Sequence, residues 1–534
     1  MKNVSTGELI FLSVVVAAVI FCFAIIYSGF SFIGSDATFY SVLGKNLLEG
    51  RGFTINGIPH TIFSPFLPFA IAGFLAVFGD LYFAAHLATA FFALISFPLL
   101  YFFVRHLTSK RTAVLATLFF ALNGTFIWIS IVMPNAEIPA MFFGVLIALA
   151  LFELSYLKDF SKKGFVWSAI LGLAIGIAYI TRPEYFFFIF PVLFYLYFIY
   201  RKIFSPKKIA IMLLIVFAGF FIISAPYINF LHKNLNQWTF SGRLSGQLLE
   251  QSGVDVYKVE DTSSKITSDA VAPPQIKESA LKYSLKNLYP LTKQYFDSFL
   301  NMERSFMRLW GFFGIMLLGI GLLEFILKKR FKELAIFFIS ILPIFFIAFA
   351  VDKRYINHLV QIFFILDILM AVGFWVAYDK IVSVFNLGKK KAAALLIIAS
   401  GFMIFYLFFP ALQNYLFLPK DYNEKEFRIM GLWMKQNIPN MENEMVITRK
   451  PDTIFYSGGL FQIFPDVATF DDLFALMKAN NTKYIIADDR YFASSRPQFA
   501  DLLDPQKAPK ELKLVKNFNY YDKKIFIYQL IALP

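Results

Sequence analysis

The chain alternates between long apolar stretches and polar segments of unequal length. Most of the apolar stretches are about 20 residues long, which is the length that an α-helix needs to cross the hydrocarbon core of a bilayer. They lie near residues 9–29, 65–78, 82–104, 112–131, 136–157, 165–180, 185–200, 209–230, 308–327, 334–350, 356–378 and 392–411. This pattern predicts a polytopic α-helical membrane protein, because helices satisfy their own backbone polar groups inside lipid.

The stretch 65–78 decides how many times the chain crosses the bilayer. It is short for a membrane-spanning helix and contains Pro65 and Pro68. If it lies along the surface, about eleven spans remain and the basic segments all fall on one side. These segments are 105–111, 158–163, 201–208, 328–332 and 379–391. Because Lys and Arg accumulate in cytoplasmic loops, we predict eleven spans with the N-terminus in the cytoplasm.

This topology divides the chain into two domains. Residues 1–411 form the predicted membrane domain, with a first outer loop at 30–81 and a large outer loop at 231–305. Residues 412–534 lie on the extracytoplasmic side, and their periodicity predicts a small soluble α/β domain. Its predicted helices are 424–439 and 470–481, and its predicted strands are 444–449, 483–489 and 523–530.

The composition agrees with a membrane protein and excludes several other classes. Of the 534 residues, 58% are hydrophobic and 16% are charged, and the mean hydropathy is +0.62. The net charge of +14 lies mostly in short loops between spans, so it indicates membrane orientation and not nucleic-acid binding. Cys22 is the single cysteine, which excludes a disulfide framework and a cysteine-based metal site.

Charged side chains recur where the predicted spans meet the outer face. Asp36 follows the first span, Glu137 begins a later one, Arg182 ends the next and Arg354 begins another; His60 shares the first outer loop with Asp36. Each alone is ordinary at a helix end, but their convergence on one face indicates a functional site. Two further polar residues, Asn123 and Asp367, fall in the middle of spans and predict hydrogen bonds between helices.

Two acids and two arginines at an outer membrane face are suited to the transfer of a phosphate-linked group. An acid can deprotonate a hydroxyl or amine acceptor. Arginines can hold a phosphate through charge-assisted hydrogen bonds. Because a phosphate leaves readily, the reaction needs a base and charge stabilisation more than a strong general acid. The residues therefore favour transfer of a sugar from a lipid phosphate.

The order of these motifs resembles that of GT-C membrane glycosyltransferases, and within them glycosyltransferase family 39. Protein O-mannosyltransferases and lipid A aminoarabinose transferases are members of the same group. The resemblance covers about 1–360. It is carried by Asp36 after the first span, PHTIFSPFLPFAIAGFLAVFG (59–79), NAEIP (135–139), TRPE (181–184) and RY (354–355).

The resemblance implies an enzyme of the plasma membrane that moves a hexose or pentose from a polyprenyl- or dolichyl-phosphate donor. The acceptor is a protein or a lipid reached from outside, and the anomeric configuration is inverted. Asp36 and Glu137 correspond to the catalytic acids. His60, Arg182, Arg354 and Tyr355 correspond to positions that bind substrate.

The sequence also departs from the family pattern. Ala37 stands where many members have a second acid directly after the first. His60 precedes the spaced Pro65 and Pro68, where a basic residue before paired prolines is common. No cofactor is required by the resemblance, although Asp36, Glu137 and His60 together offer donors to a divalent metal ion. The acceptor and the metal therefore stay open.

Two other functions are compatible with a polytopic membrane protein. A transporter or flippase for lipid-linked sugars typically has charged or broken helices at the bilayer midplane and inverted repeats. Here the charges lie at one face and no repeat is visible. A non-catalytic scaffold that displays residues 412–534 would leave the outer charges without a role. The enzyme is therefore the favoured prediction.

Overall fold

The computed structural model describes most of the chain as a helical membrane protein with a small sheet near its C-terminus. The described residues are 5–29, 33–131, 134–244, 248, 280–350, 356–417, 424–465, 467–490 and 492–531. The predicted fold class, a polytopic helical protein with a small C-terminal α/β region, is confirmed.

The membrane part contains fifteen described helices and one described two-stranded hairpin, β1 (Thr54–Ile55) and β2 (Ile58–Pro59). Short 3-10 helices at Pro183–Phe188 and Ile356–Ile362 lead into α9 and α14. The helices are α1 (Thr6–Gly29), α2 (Ser35–Leu48), α3 (Phe66–Phe78), α4 (Leu81–Leu107), α5 (Lys110–Leu122), α6 (Gly124–Ile131), α7 (Glu137–Ser155), α8 (Lys162–Thr181), α9 (Ile189–Tyr200), α10 (Pro206–Leu235), α11 (Ala280–Lys286), α12 (Leu288–Leu327), α13 (Phe331–Ala350), α14 (Phe363–Val384) and α15 (Lys389–Phe417).

Among the described residues, eight helices are long and apolar enough to cross a membrane, and each coincides with a predicted span. The other three predicted spans are helical as well. The span predicted at 9–29 lies within α1, the one at 334–350 lies within α13, and the one at 112–131 is divided between α5 and α6.

The break between α5 and α6 occurs at Asn123. Its backbone is extended, and its side-chain oxygen accepts a hydrogen bond of 3.2 Å from the Phe126 amide at the start of α6. Asn123 is therefore a capping residue, whereas the sequence predicted a bond between helices for it. Asp367 is buried in α14, and its carboxyl interacts with the Trp310 indole of α12, so it does link two helices.

The stretch 65–78 forms the short helix α3. Its 13 residues reach about 20 Å at 1.5 Å per residue, less than the hydrocarbon core of about 30 Å. This length agrees with the predicted position along the surface. The helix packs closely on α2, since a Cβ at Gly44 would lie 2.9 Å from the Pro68 carbonyl oxygen.

The C-terminal domain, described over residues 424–531 apart from 466 and 491, is built on a five-stranded sheet of order β4-β3-β5-β7-β6. Strand β3 is parallel to β4 and β5, and β7 is antiparallel to β5 and β6. The elements are α16 (Lys425–Asn437), β3 (Met445–Thr448), α17 (Asp452–Ser457), β4 (Leu460–Ile463), α18 (Phe470–Ala479), β5 (Tyr484–Asp488), α19 (Phe492–Ser495), β6 (Leu512–Tyr520) and β7 (Lys523–Leu530). All five predicted elements are present, and β4 and β6 are additional.

Apolar side chains gather in three clusters. The largest fills the membrane part between α4, α5, α7, α8, α10 and α14. A second joins α2 and α3 to one face of the C-terminal sheet, and a third lies on the other face of that sheet. The C-terminal domain therefore shares a core with the first outer loop.

Close helix contacts in the membrane part depend on glycine. A Cβ at Gly321 of α12 would lie 2.0 Å from the Leu369 carbonyl oxygen of α14, and a Cβ at Gly373 would lie 1.9 Å from the Leu317 carbonyl oxygen. Small residues at such crossings let two helix backbones approach inside lipid. The pair α12–α14 is therefore held by backbone proximity.

Replacing Gly321 by alanine is expected to destabilise the protein, because the added carbon meets the α14 backbone. Overpacking of this kind costs about 1–3 kcal/mol. Gly319 is the matched control, since a Cβ there meets no described heavy atom within 4 Å. Thermal unfolding in detergent should show a lower midpoint for Gly321→Ala than for Gly319→Ala, and equal midpoints would contradict the close contact.

Candidate active site

Three chain segments meet at the side chains of Glu137, Arg182 and His358. Glu137 begins α7, where the positive end of the helix dipole favours an acid. Arg182 directly follows α8 and precedes Pro183. A residue before proline prefers an extended backbone, and Arg182 has φ −143° and ψ 120°, which ends the helix. His358 lies in the 3-10 helix before α14. The local sequence thus delivers one charged or titratable side chain from each segment.

Arg182 and His358 both contact the same carboxylate oxygen of Glu137. Arg182 Nη1 donates to Glu137 Oε1 at 3.0 Å, and His358 Nδ1 lies 2.7 Å from the same oxygen. With a proton on Nδ1, His358 donates to Glu137 and its Nε2 becomes the acceptor nitrogen. Nδ1 of His358 also lies 3.2 Å from Arg182 Nη2. In this tautomer both nitrogens are donors, so that contact is not a hydrogen bond. Glu137 is thereby fixed by two partners.

A second carboxylate completes the cluster. Arg182 Nε donates to Glu184 Oε1 at 2.8 Å, and Gln361 Nε2 donates to that oxygen at 3.1 Å. The side chains of Arg182 and Glu184 are only 12% and 11% exposed. A buried guanidinium is compensated here by two carboxylates. Arg182 thus already has partners within the protein, and a direct contact with a substrate phosphate stays a prediction.

Asp36 lies beside this cluster on α2. It is in the first turn of the helix and its side chain is exposed. Tyr40, one turn later, is buried, and its hydroxyl is within electrostatic reach of Glu137, Arg182, Asp36 and Arg243. Burial and then the Glu137 charge raise the pKa of Tyr40 well above its ordinary value. Tyr40 therefore stays protonated, and the charges of both acids act on its hydroxyl.

His60 is placed beneath α2. It is fully buried between the rings of Phe39, Phe53 and Phe63, at centroid distances of 6.3, 6.2 and 5.3 Å. Within the described part of the chain, neither ring nitrogen has a hydrogen-bond partner. Burial, with a smaller effect of Arg243, lowers the pKa of His60 to about 3. His60 is thus a neutral packing residue here, and its predicted contact with substrate stays a prediction.

Arg243 is a site residue that the sequence reasoning missed. Its guanidinium lies over the Phe63 ring, 5.4 Å from the centroid, and it acts electrostatically on Tyr40 and His60. Among the described residues, no carboxylate pairs with it. Gly242 brings this segment against the first outer loop, because a Cβ there would lie 2.0 Å from the Thr61 carbonyl oxygen. Arg243 lies in the large outer loop, where no periodic pattern indicated its position.

The remaining predicted site residues divide into two groups. Arg354 and Tyr355 lie outside the described residues. The proposed metal set of Asp36, Glu137 and His60 is not assembled: over the described ranges, no three His, Cys, Asp or Glu side chains come together in a way that could hold a metal ion. The predicted set is not assembled because His60 is packed among aromatic rings and Glu137 is bonded to Arg182 and His358.

Solved structures of two membrane proteins share this fold. The archaeal oligosaccharyltransferase AglB from Archaeoglobus fulgidus, in complex with an inhibitory peptide and a dolichol-phosphate, has a TM-score of 0.58 at 13% identity, covering 98% of this chain and 74% of that chain. ArnT from Cupriavidus metallidurans in the apo state has a TM-score of 0.59 at 12% identity, covering 98% of both chains. ArnT bound to undecaprenyl phosphate gives 0.56 at the same identity and coverage.

The fold is therefore that of the GT-C glycosyltransferases, and the resemblance predicted from the sequence is confirmed. Within this class, residues 60–225 match the family model described as dolichyl-phosphate-mannose-protein mannosyltransferase. No curated protein matches the chain by sequence. Together with the eight helices of the described residues that are long and apolar enough to cross a membrane, these likenesses identify an integral membrane protein.

Removing the guanidinium of Arg182 is expected to destabilise the native state strongly. The variant Arg182→Leu leaves Glu137 and Glu184 buried without their shared cation, and breaking a buried pair in this way costs about 3–5 kcal/mol. The control is Arg51→Leu, which removes an exposed pair with Glu49 and should cost less than about 1 kcal/mol. Unfolding in detergent measures both, and similar losses would show that Arg182 does not hold the cluster.

The burial of His60 predicts a pH dependence of stability. An unfolded histidine titrates near 6.5, whereas His60 in the native state titrates near 3. Between these values the unfolded chain binds a proton that the native chain does not, so stability falls as the pH falls. The loss between pH 7 and pH 5 should be about 2 kcal/mol smaller in His60→Phe than in the native protein. The exposed His106, changed to Phe, is the control, and a loss unchanged in His60→Phe would contradict the burial.

Proposed function

We propose that this chain is a glycosyltransferase that moves a sugar from a polyprenyl- or dolichyl-phosphate donor to a protein or lipid acceptor. The reaction takes place at the outer face of the plasma membrane, with the N-terminus in the cytoplasm and the C-terminal domain outside. The observation that carries this proposal is the buried acid Glu137, held by Arg182 at 3.0 Å and His358 at 2.7 Å. The exposed acid Asp36 and the cation Arg243 act on Tyr40 together with it. The matched family model and the similar structures belong to glycosyltransferases.

Asp36 is the proposed base. Its exposed carboxylate takes the proton of the acceptor hydroxyl or amine while the acceptor atom bonds to the anomeric carbon. The bond from that carbon to the phosphate oxygen breaks, and the lipid phosphate leaves with the bonding electron pair. Attack from the side opposite the phosphate inverts the anomeric configuration.

The phosphate of the lipid donor is proposed to lie near Arg243. Arg243 can offer its guanidinium to phosphate oxygens, because within the described chain it pairs with no carboxylate. The protonated Tyr40 hydroxyl is a second donor nearby. Arg354, followed by Tyr355, is proposed as a further contact. The similar ArnT and AglB structures were solved with undecaprenyl phosphate and dolichol-phosphate, which supports a lipid-phosphate donor for this chain.

Glu137 is proposed to act as a fixed negative charge. Transfer of a glycosyl group passes through a transition state with positive charge on the sugar ring. A carboxylate that is already oriented by Arg182 and His358 stabilises such a charge without reorganising during the reaction. Arg182 and His358 are then positioning residues that act through Glu137.

The test compares Asp36→Asn with the native chain in nanodiscs. A panel of radiolabelled polyprenyl-phosphate sugars is supplied with membrane lipid and peptide acceptors, and released or transferred sugar is measured. Loss of a positioned base lowers turnover by about 10²–10⁴-fold, while donor binding should persist. The control is Asp80→Asn: Asp80 is exposed and caps α4 through a 2.6 Å hydrogen bond from the Phe83 amide, which asparagine can also accept.

Other outcomes would redirect the assignment. Turnover retained in Asp36→Asn would move the base elsewhere, with Glu137 as the first candidate. A native chain that binds a lipid-linked sugar but transfers none would favour the transporter or flippase, and movement of labelled donor across a vesicle membrane would then be measured.

A further inference from the structure

The first outer loop reaches the edge of the C-terminal sheet through Asn56. Asn56 and Gly57 form the two-residue turn between β1 and β2, both at positive φ of 51° and 79°, as a type I′ hairpin turn requires. The Asn56 amide donates from Nδ2 to the Phe461 carbonyl oxygen at 2.6 Å, and the Phe461 amide lies 3.4 Å from Oδ1. Strand β4 is an edge of the sheet. One side chain therefore bonds both backbone groups of an edge residue.

Phe461 also contacts the helix that carries Asp36. Its ring lies 5.4 Å from the ring of Phe39, and both side chains are buried. Phe39 stands between Asp36 and Tyr40 on α2. Phe461 is thus held twice by the first outer loop, through its backbone by Asn56 and through its ring by Phe39.

The contact is part of a continuous core. Along β3, β5 and β7, alternate residues point to opposite faces of the sheet. Val446, Ile486 and Ile527 belong to the cluster that contains Phe39 and Leu43. Their neighbours Ile447, Ile485 and Phe526 belong to the separate cluster on the far face. One whole face of the C-terminal sheet therefore packs in the same cluster as α2.

A second attachment fixes the C-terminal domain to α4. Arg428 of α16 lies over the Tyr82 ring of α4 and the Tyr456 ring of α17, at 5.6 and 5.9 Å from their centroids. The two tyrosine rings are 6.3 Å apart. The domain is thus attached at Phe461 and at Arg428. Because two attachments prevent rotation about either one, the domain can act as a rigid support for α2.

We propose that Asn56 and Phe461 are positioning residues for the reaction, and that the C-terminal domain sets the place of α2 and thereby of Asp36 and Tyr40. This inference rests on the proposed function. Neither residue contacts the charged side chains of the site; both act through α2, which packs on α3 through Gly44 on another of its faces. The C-terminal domain is thus a structural part of the catalytic centre.

The test uses the full-length chain with Asn56→Gly. Glycine adopts positive φ readily, so the turn is preserved while both side-chain hydrogen bonds are lost. A second variant, Asn56→Asp, keeps an acceptor for the Phe461 amide but cannot donate to its carbonyl oxygen. The control is Asn440→Gly, the same replacement at a positive φ of 52° and an exposed position of the C-terminal domain.

Two quantities are measured. The first is steady-state turnover: misplacement of Asp36 lowers kcat by about tenfold or more, and this fall in kcat is expected whether or not displacement of Tyr40 on the same helix also raises the donor KM. The second is hydrogen exchange of the α2 amides without any substrate, which should become about tenfold faster in Asn56→Gly and stay unchanged in α8. Asn56→Asp should show both effects, and Asn440→Gly neither.

The outcomes separate this inference from the proposed function. Native kcat and native α2 exchange in both Asn56 variants would overturn the positioning role and leave the glycosyltransferase intact. A raised donor KM with unchanged kcat would also overturn it, since the contact would then serve binding. Faster α2 exchange in a protein that consumes no donor even in its native form would support the structural link and overturn the proposed function.

Discussion

The ion cluster of Arg182, Glu137 and Glu184 links the start of α7 to the segment that follows α8 and to the 3-10 helix before α14. Each charge is largely withdrawn from water, and each carboxylate has a second partner, His358 or Gln361. A buried charge is tolerated only while its partners stay in place. The segments that carry these side chains therefore cannot separate without leaving a buried charge unpaired. This cost keeps the segments rigidly together.

The two acids of the candidate site, Glu137 and Asp36, have different surroundings and are therefore suited to different tasks in the proposed reaction. Glu137 is immobilised by a cation and a histidine, which suits a fixed field acting on the reacting sugar. Asp36 is exposed at the start of a helix, where an acceptor can reach it. The charges of both acids act on the hydroxyl of Tyr40, which stays protonated. The division of roles follows from burial and ion pairing, because both side chains are carboxylates.

The sequence was sufficient for features that depend on local pattern. Apolar length predicted the spanning helices, and the short α3 followed from its length and prolines. The acids and arginine at helix ends were found because they interrupt apolar runs. His358, Gln361 and Arg243 were missed since their role depends on which segments meet in space. His60 was predicted at a binding surface, whereas aromatic residues 21 positions before it and three after it enclose it, a contact that no one-dimensional pattern shows.

The helix α2, which carries Asp36 and lies outside the bilayer in the proposed topology, is short and packs against the C-terminal domain. Helices of the length of α2, 14 residues, are marginally stable alone in water, so their place is set by tertiary packing. Inside the membrane, lipid enforces helicity and neighbouring spans fix orientation; α2, which the proposed topology places outside the lipid, meets the candidate spans through α4. Its support comes from α3 on one face and, across a sequence separation of 405 residues, from the edge of the C-terminal sheet, which meets the hairpin that follows α2. The proposed base therefore stands on a helix whose scaffold is supplied in part from the other end of the chain.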